Sequence, residues 1–183
     1  KGSRLVPKVY KKRRSRFRLP PALRDLQFRA EYLLLRLVAG LVRAMPLSVA
    51  VAVSAKAWRW LAPVISRVRH KRALANLAIA FPEKSEAERL EIALAHWENL
   101  GRVMAETMQI DRVIRDPSRI EIENLALFGR YKDKLGPAIG VSLHMGNWEL
   151  AIWPLVVAGA NPAAVYRSVN NPYVDRYLRA QRK

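Results

Sequence analysis

Apolar and polar positions set out helices over the first 110 residues and a different rhythm after them. Between residues 22 and 45, Leu23, Leu26, Leu33, Leu34, Leu37, Val38, Leu41 and Val42 predict a helix with a broad apolar stripe. Arg24, Asp25, Arg29, Glu31, Arg36 and Arg43 interrupt the stripe. Pro46 ends it, because proline disfavours the helical conformation of the residue before it. A second apolar stretch runs from Leu47 to Ile65, broken by Lys56, Arg59 and Pro63. Neither supplies the roughly 20 uninterrupted apolar residues that a bilayer core requires. The clearest helix spans residues 85–109. Ser85 followed by Glu88 is a capping box, and Leu90, Leu94, Trp97, Leu100, Met104 and Met108 recur at helical steps. Core packing is the expected use of that Trp/Met stripe, since buried apolar faces are the rule.

After Pro117 the segments shorten. Ile120–Ile122, residues 138–143 and residues 163–167 are strand candidates. Residues 123–135 suit a helix, as do Asn147–Val157 with Asn147 as cap, and a last helix starts at Asn171-Pro172. Strand–helix–strand–helix order predicts an α/β fold with a mainly parallel sheet.

The chain has 183 residues, 51% of them hydrophobic, which is enough for a core. It has no cysteine, so a disulfide framework, a thiolate metal site and a cysteine nucleophile are excluded. Net charge is +18, and its distribution matters more than its sum. Residues 1–18 hold nine Lys/Arg and no acid, and residues 19–72 hold ten basic and two acidic side chains. The remainder is nearly neutral. Three parts follow: a basic arm over 1–21, apolar and basic helices over 22–72, and a globular part over 73–183. A uniformly basic nucleic-acid binder is not patterned this way, and only Tyr10 and Phe17 interleave the charges of the arm. The mixture in 22–72, including Trp58 and Trp60 beside Lys56 and Arg59, suits an anionic membrane surface with apolar side chains inserted. A signal peptide over 37–55 is rejected, because Arg43 and Pro46 cut the apolar run.

The chemistry-bearing feature is His144-Met-Gly146-Asn147-Trp-Glu149. The pair cannot meet as rungs of one helix, since a five-residue step turns the side chains well away from a shared face. They can meet if His144 lies in the turn and Glu149 in the following helix. An imidazole titrating near neutrality can take and return a proton, and a carboxylate on its other nitrogen fixes the tautomer. No G-x-S-x-G accompanies it, so the base would act on a substrate hydroxyl. Metal binding is not expected, since H-x4-E offers two ligands and H-E-x-x-H is absent. Taken alone, such a pair is more often a structural hydrogen bond than a dyad.

Its surroundings add to it. Ser-Leu-His144-Met-Gly-Asn147-Trp148-Glu149 resembles the His-x4-Asp/Glu motif of the lysophospholipid acyltransferase superfamily, in the form of the lipid A biosynthesis (lauroyl/myristoyl) acyltransferases. Asn76-Leu…Phe81-Pro82…Ser85…Glu88-Arg89 and Tyr166-Arg167…Asn170-Asn171-Pro172…Asp175 are similar to two further segments of that family, in its order. The resemblance implies acyl transfer from acyl carrier protein, or a coenzyme A thioester, to a hydroxyl of a lipid A precursor. No cofactor is implied beyond that donor. It implies His144 as general base, Glu149 as its orienting carboxylate and Arg167 at the cleft. Main-chain amides near Gly146 and Asn147 are candidate oxyanion donors, and Asn170, Asn171 and Asp175 are expected to cap and position the last helix more than to touch substrate, with Asn170 and Asp175 kept as candidate substrate contacts. It further implies that 73–183 is the N-terminal part of a partial α/β acyltransferase domain, truncated at the C-terminus and preceded by membrane-associated helices. The cytoplasmic face of the inner membrane is the expected location, because carrier protein is cytosolic. Two other readings stand beside it: a related acyltransferase for another glycolipid such as a phosphatidylinositol mannoside, and a non-catalytic basic module for membranes or nucleic acid.

Overall fold

A computed structural model describes residues 20–126, 129, 139–143, 145–163, 165 and 167–181. Residues 1–19 of the basic arm, most of the helix expected over 123–135, His144 and Tyr166 lie outside the described residues. The helices are α1 (Pro21–Ala44), α2 (Leu47–Ile65), α3 (Arg67–Ala80), α4 (Glu86–Met108), α5 (Ile110–Arg115), α6 (Trp153–Val157) and α7 (Pro172–Gln181), with 3-10 turns at Pro117–Arg119 and Trp148–Leu150. The chain divides into two units, one drawn from Lys1–Leu35 and Ser168–Lys183, the other from Arg36–Arg167.

The larger unit is organised on α2 and α4. Ser85 starts α4 as expected: its hydroxyl accepts from the Glu88 N–H at 3.3 Å, and its own N–H donates to the Glu88 carboxylate at 2.7 Å. Along α4 the residues that go inside are Ala93, Trp97, Gly101 and Ala105, at four-residue steps, together with Val103. This is a smaller-residue face than the Leu/Met stripe the sequence suggests, and Leu90 is 41% exposed. The reason is the close approach of α2, whose buried positions include Ala50, Ala55 and Ala62. A Cβ on Gly101 would stand 2.5 Å from the Ser54 carbonyl oxygen and 2.8 Å from the Trp58 Cβ, so only glycine fits there. The Ser54 hydroxyl donates to the Gly101 carbonyl at 2.8 Å, and Arg59 bridges to Glu91 at 2.7 Å and to Glu98. Trp97 donates from Nε1 to His70 Nδ1 at 3.1 Å, which ties α3 to the same helix.

The α4–α5 corner grips the end of α1 through polar groups. Gln109 is fully buried, and its amide donates to the Val42 carbonyl at 2.8 Å. Arg43 donates to both Asp111 carboxylate oxygens and to the Met108 carbonyl, and Arg112 donates to the Met45 carbonyl at 3.0 Å. The Val42 and Met108 carbonyls lie in the last turns of α1 and α4, where a helix leaves carbonyls short of intrahelical partners. The Arg43 guanidinium holds the Asp111 carboxyl below the usual carboxylate range, chiefly by hydrogen bonding.

In the smaller unit, α7 packs on the first half of α1. Asn171, 4% exposed, donates to the Phe28 carbonyl at 2.9 Å and to Glu31 at 3.0 Å, while its Oδ1 accepts from the Tyr173 N–H. It therefore caps α7 and fastens it to α1. The Tyr173 hydroxyl donates to Asp25 at 2.8 Å, and Tyr32 meets the rings of Tyr173 and Tyr177.

Among the described residues the expected parallel sheet is not formed. Those residues hold no strand, and the α/β assignment gives way to a helical architecture. The described parts of 120–122, 138–143 and 163–167 are irregular, with Ile139 95% and Val141 91% exposed. A strand is a partnership: its N–H and C=O groups are satisfied by a neighbour, and apolar β-branched residues do not supply that neighbour. The helix expected from Asn147 to Val157 is also divided. Pro154 has no N–H to donate to the Leu150 carbonyl, so the chain makes a 3-10 turn and restarts as α6 with proline in its first turn. Among the described residues no helix is long and apolar enough to cross a membrane.

Candidate active site

The segment carrying the motif is built around two residues with special backbone roles. Gly146 has φ +56°, in the left-handed region that L side chains rarely adopt, and a Cβ there would meet open space. Its glycine is thus a requirement of the turn and not of crowding. The chain then reverses into Asn147, whose Oδ1 accepts from the Glu149 N–H at 3.2 Å. That is a side-chain cap on the 3-10 turn Trp148–Leu150, and it fixes the backbone from which the Glu149 carboxylate extends. Glu149 and Asn147 are half-buried, whereas Met145 is 72% exposed.

The other end of the Asn147 amide is also engaged. Its Nδ2 donates to the Glu106 carboxylate of α4 at 2.9 Å. The turn is thereby pinned to the helix that forms the centre of the larger unit. Glu106 was not legible as part of the site. In the sequence it stands four residues after Arg102, the spacing of a surface ion pair. The structure pairs Arg102 with Glu98 instead, at 2.5 Å. The one signal pointing elsewhere was its position: a carboxylate in the last turn of a helix opposes the helix dipole, and that turn of α4 carries no basic residue.

The structure therefore brings Gly146, Asn147 and Glu149 together, with Glu106 behind them. Arg167 is exposed and belongs to the same unit. Asn170 and Asp175 belong to the smaller unit. There Asn170 is exposed, and Asp175 accepts from the Val169 N–H at 2.9 Å and pairs with Arg179 at 2.9 Å. The Asp175 contacts are those of a helix-start carboxylate, stabilised by the adjacent main-chain donors.

What this arrangement can do is set by its charge and its backbone. A carboxylate on a capped turn, three residues past a glycine in the left-handed conformation, is a hydrogen-bond acceptor on a fixed backbone. The comparison with known families agrees with the residues. The model of the bacterial lipid A biosynthesis acyltransferase family matches residues 21–183, which takes in both units and the turn. No curated protein and no solved structure matches the chain. A match running from the first residues of α1 to the end of α7 is a property of the whole chain and not of one short motif, and the chain belongs to the family of bacterial lipid A biosynthesis acyltransferases.

Proposed function

We propose that the chain moves a fatty acyl group from acyl carrier protein, or from a coenzyme A thioester, to a hydroxyl of a lipid A precursor. His144 is the general base and Glu149 its orienting carboxylate. His144 takes the hydroxyl proton as the oxygen attacks the thioester carbonyl carbon. The negative charge on the carbonyl oxygen is met by main-chain N–H groups near Gly146 and Asn147. The intermediate collapses with cleavage of the carbon–sulfur bond, and the imidazolium returns its proton to the departing thiolate. Glu149 keeps the imidazole in one tautomer and stabilises the imidazolium between the two steps. Arg167 offers a guanidinium to a phosphate of the acceptor.

The observation that supports this reading most directly is the capped turn: Asn147 holds the Glu149 N–H immediately downstream of His144, in a chain of this family. The test is acyl transfer from acyl carrier protein to a lipid A precursor by the full-length protein, with His144→Ala and Glu149→Ala. A loss of roughly a thousandfold in kcat is expected for His144→Ala, the scale of a lost general base. Wild-type rates in both variants would overturn the assignment.

The same proposal places the protein at the cytoplasmic face of the inner membrane, where its lipid acceptor and cytosolic donor meet. Leu23, Leu26, Leu33, Leu34, Leu37 and Leu41 of α1 are each more than half exposed, as are Trp60, Leu61, Val64 and Ile65 at the end of α2, beside the basic start of α3. Apolar side chains among Lys and Arg suit an anionic headgroup boundary. Co-sedimentation with vesicles containing anionic phospholipid is expected, weakening as salt is raised, and equal recovery with and without vesicles would refute it.

A further inference from the structure

We propose that Glu106 of α4 is a positioning residue for acyl transfer: by accepting a hydrogen bond from Asn147 it fixes the turn from which Glu149 acts. This rests on the proposed role of Glu149. Three observations carry it. First, the hydrogen bond is non-local, joining residues 41 apart in sequence at 2.9 Å. Second, nothing in α4 explains a carboxylate at this position. The last turn of the helix disfavours negative charge, holds no basic residue, and the i−4 arginine, Arg102, pairs with Glu98. Third, the Asn147 amide has two unlike ends and uses both. Oδ1 accepts from the Glu149 N–H while Nδ2 donates to Glu106. Rotated by half a turn, the amide would set its NH2 against the Glu149 N–H and its oxygen against a carboxylate, two repulsive contacts. Glu106 thus selects the amide orientation that caps the Glu149 turn, and it anchors that cap to a helix held by α2 at Gly101 and by α3 through His70.

The consequence for catalysis is geometric. A displacement of about 1 Å in a catalytic group can cost on the order of a hundredfold in rate. Losing the Glu106 acceptor frees the Asn147 amide to rotate and the turn to shift. The effect belongs in kcat, because Glu106 acts through the turn and not on a bound substrate.

The experiment uses the full-length protein in the acyl-transfer assay, with His144→Ala as reference and circular dichroism as a check on folding. Glu106→Ala is expected to lower kcat by about 10- to 100-fold with KM changed by less than about threefold. Glu106→Gln, which keeps an acceptor oxygen, recovers kcat by about tenfold over the alanine variant. The decisive variant pair reverses the bond. Asn147→Asp sets two carboxylates against each other and lowers kcat, and adding Glu106→Gln, whose amide now donates to the aspartate, raises it again by about tenfold. The reversal remains informative even where Glu106→Ala fails to fold. Failure of the double variant to improve on Asn147→Asp overturns the role of Glu106, as does an alanine variant within about twofold of wild type while His144→Ala is inactive. An active His144→Ala overturns the underlying reading of the site instead.

Discussion

The α2–α4 pair and the segment from Ile139 to Met145 belong to the same unit and treat their apolar residues in opposite ways. In the pair, most of the side chains that go inside are small, such as Ala50, Ala55, Ala93 and Ala105, each 1% exposed or less, and the larger Trp97 and Val103 join them. In the segment they are large and outside, with Ile139 95%, Val141 91% and Leu143 72% exposed. Hydrophobicity alone therefore does not decide burial here. A helix closes its own main-chain hydrogen bonds within four residues, so what it needs from a neighbour is a packed face and not backbone partners. An extended segment closes none of its own. Its side chains are covered only where a second segment satisfies its backbone, and among the described residues none does. The pair is specified by close approach, the segment by nothing local.

The largest effect should come from spoiling that approach. At Gly101 a Cβ would lie 2.5 Å from a backbone carbonyl of α2, which cannot swing aside as a side-chain end could. Replacing glycine by alanine in a helix gains about 1 kcal/mol in propensity, whereas overpacking costs about 1–3 kcal/mol. Overpacking wins, and a β-branched residue adds volume with no compensating gain. Gly101→Val should lower unfolding stability by about 3 kcal/mol in urea melts, and Gly101→Ala by less. An unchanged midpoint for Gly101→Val would mean that α2 and α4 do not meet as described.

How much of this was legible follows from the range of each interaction. The Ser85–Glu88 capping box, the break at Pro46 and the Asn147 cap lie within a few residues, and each has its predicted role or place, whereas Pro63 lies inside α2 without ending it. The buried face of α4 was misjudged in part, since a ranking by apolar volume selects Leu90 and Met104, while the approach of α2 selects Ala93, Gly101 and Ala105. The hydrogen bond from Asn147 to Glu106 crosses 41 residues, and no local pattern reports it. The sheet failed for the same reason: Ile139 to Leu143 has the composition of a buried strand, but composition does not provide the adjoining strand. Pro154, by contrast, is a local signal, and it divides the helix after Asn147.

A smaller effect should appear at the C-terminal end of α4, where the corner grips α1 through polar groups that include a partly exposed ion pair. Arg43 holds the Asp111 carboxyl below its ordinary range. A carboxyl whose folded pKa is depressed adds stability above its unfolded pKa of about 4, and that stability is lost as pH falls through the folded value. Both side chains are more than a third exposed, so screening keeps the contribution within about 1 kcal/mol. Asp111→Asn should therefore be modestly less stable at pH 7, with a shallower loss of stability on acidification below about pH 4 than wild type. Equal pH slopes for the two proteins would show that Asp111 takes no part in the acid response.

The smallest effect belongs to the segment itself. Val141 is 91% exposed, so a polar replacement removes almost no area from cover and leaves no cavity. Surface changes of this kind usually fall within about 0.5 kcal/mol. Val141→Ser should leave the urea midpoint of the chain where it was, beside the large shift of Gly101→Val in the same unit. The two variants together isolate the cause. Valine is introduced where α2 leaves no room in one, and withdrawn where nothing touches it in the other, so a protein stabilised by apolar content alone would respond in the reverse order. A loss of 1 kcal/mol or more for Val141→Ser would mean that the segment buries this side chain, and that apolar content at 139–143 contributes to stability as the α2–α4 contact does.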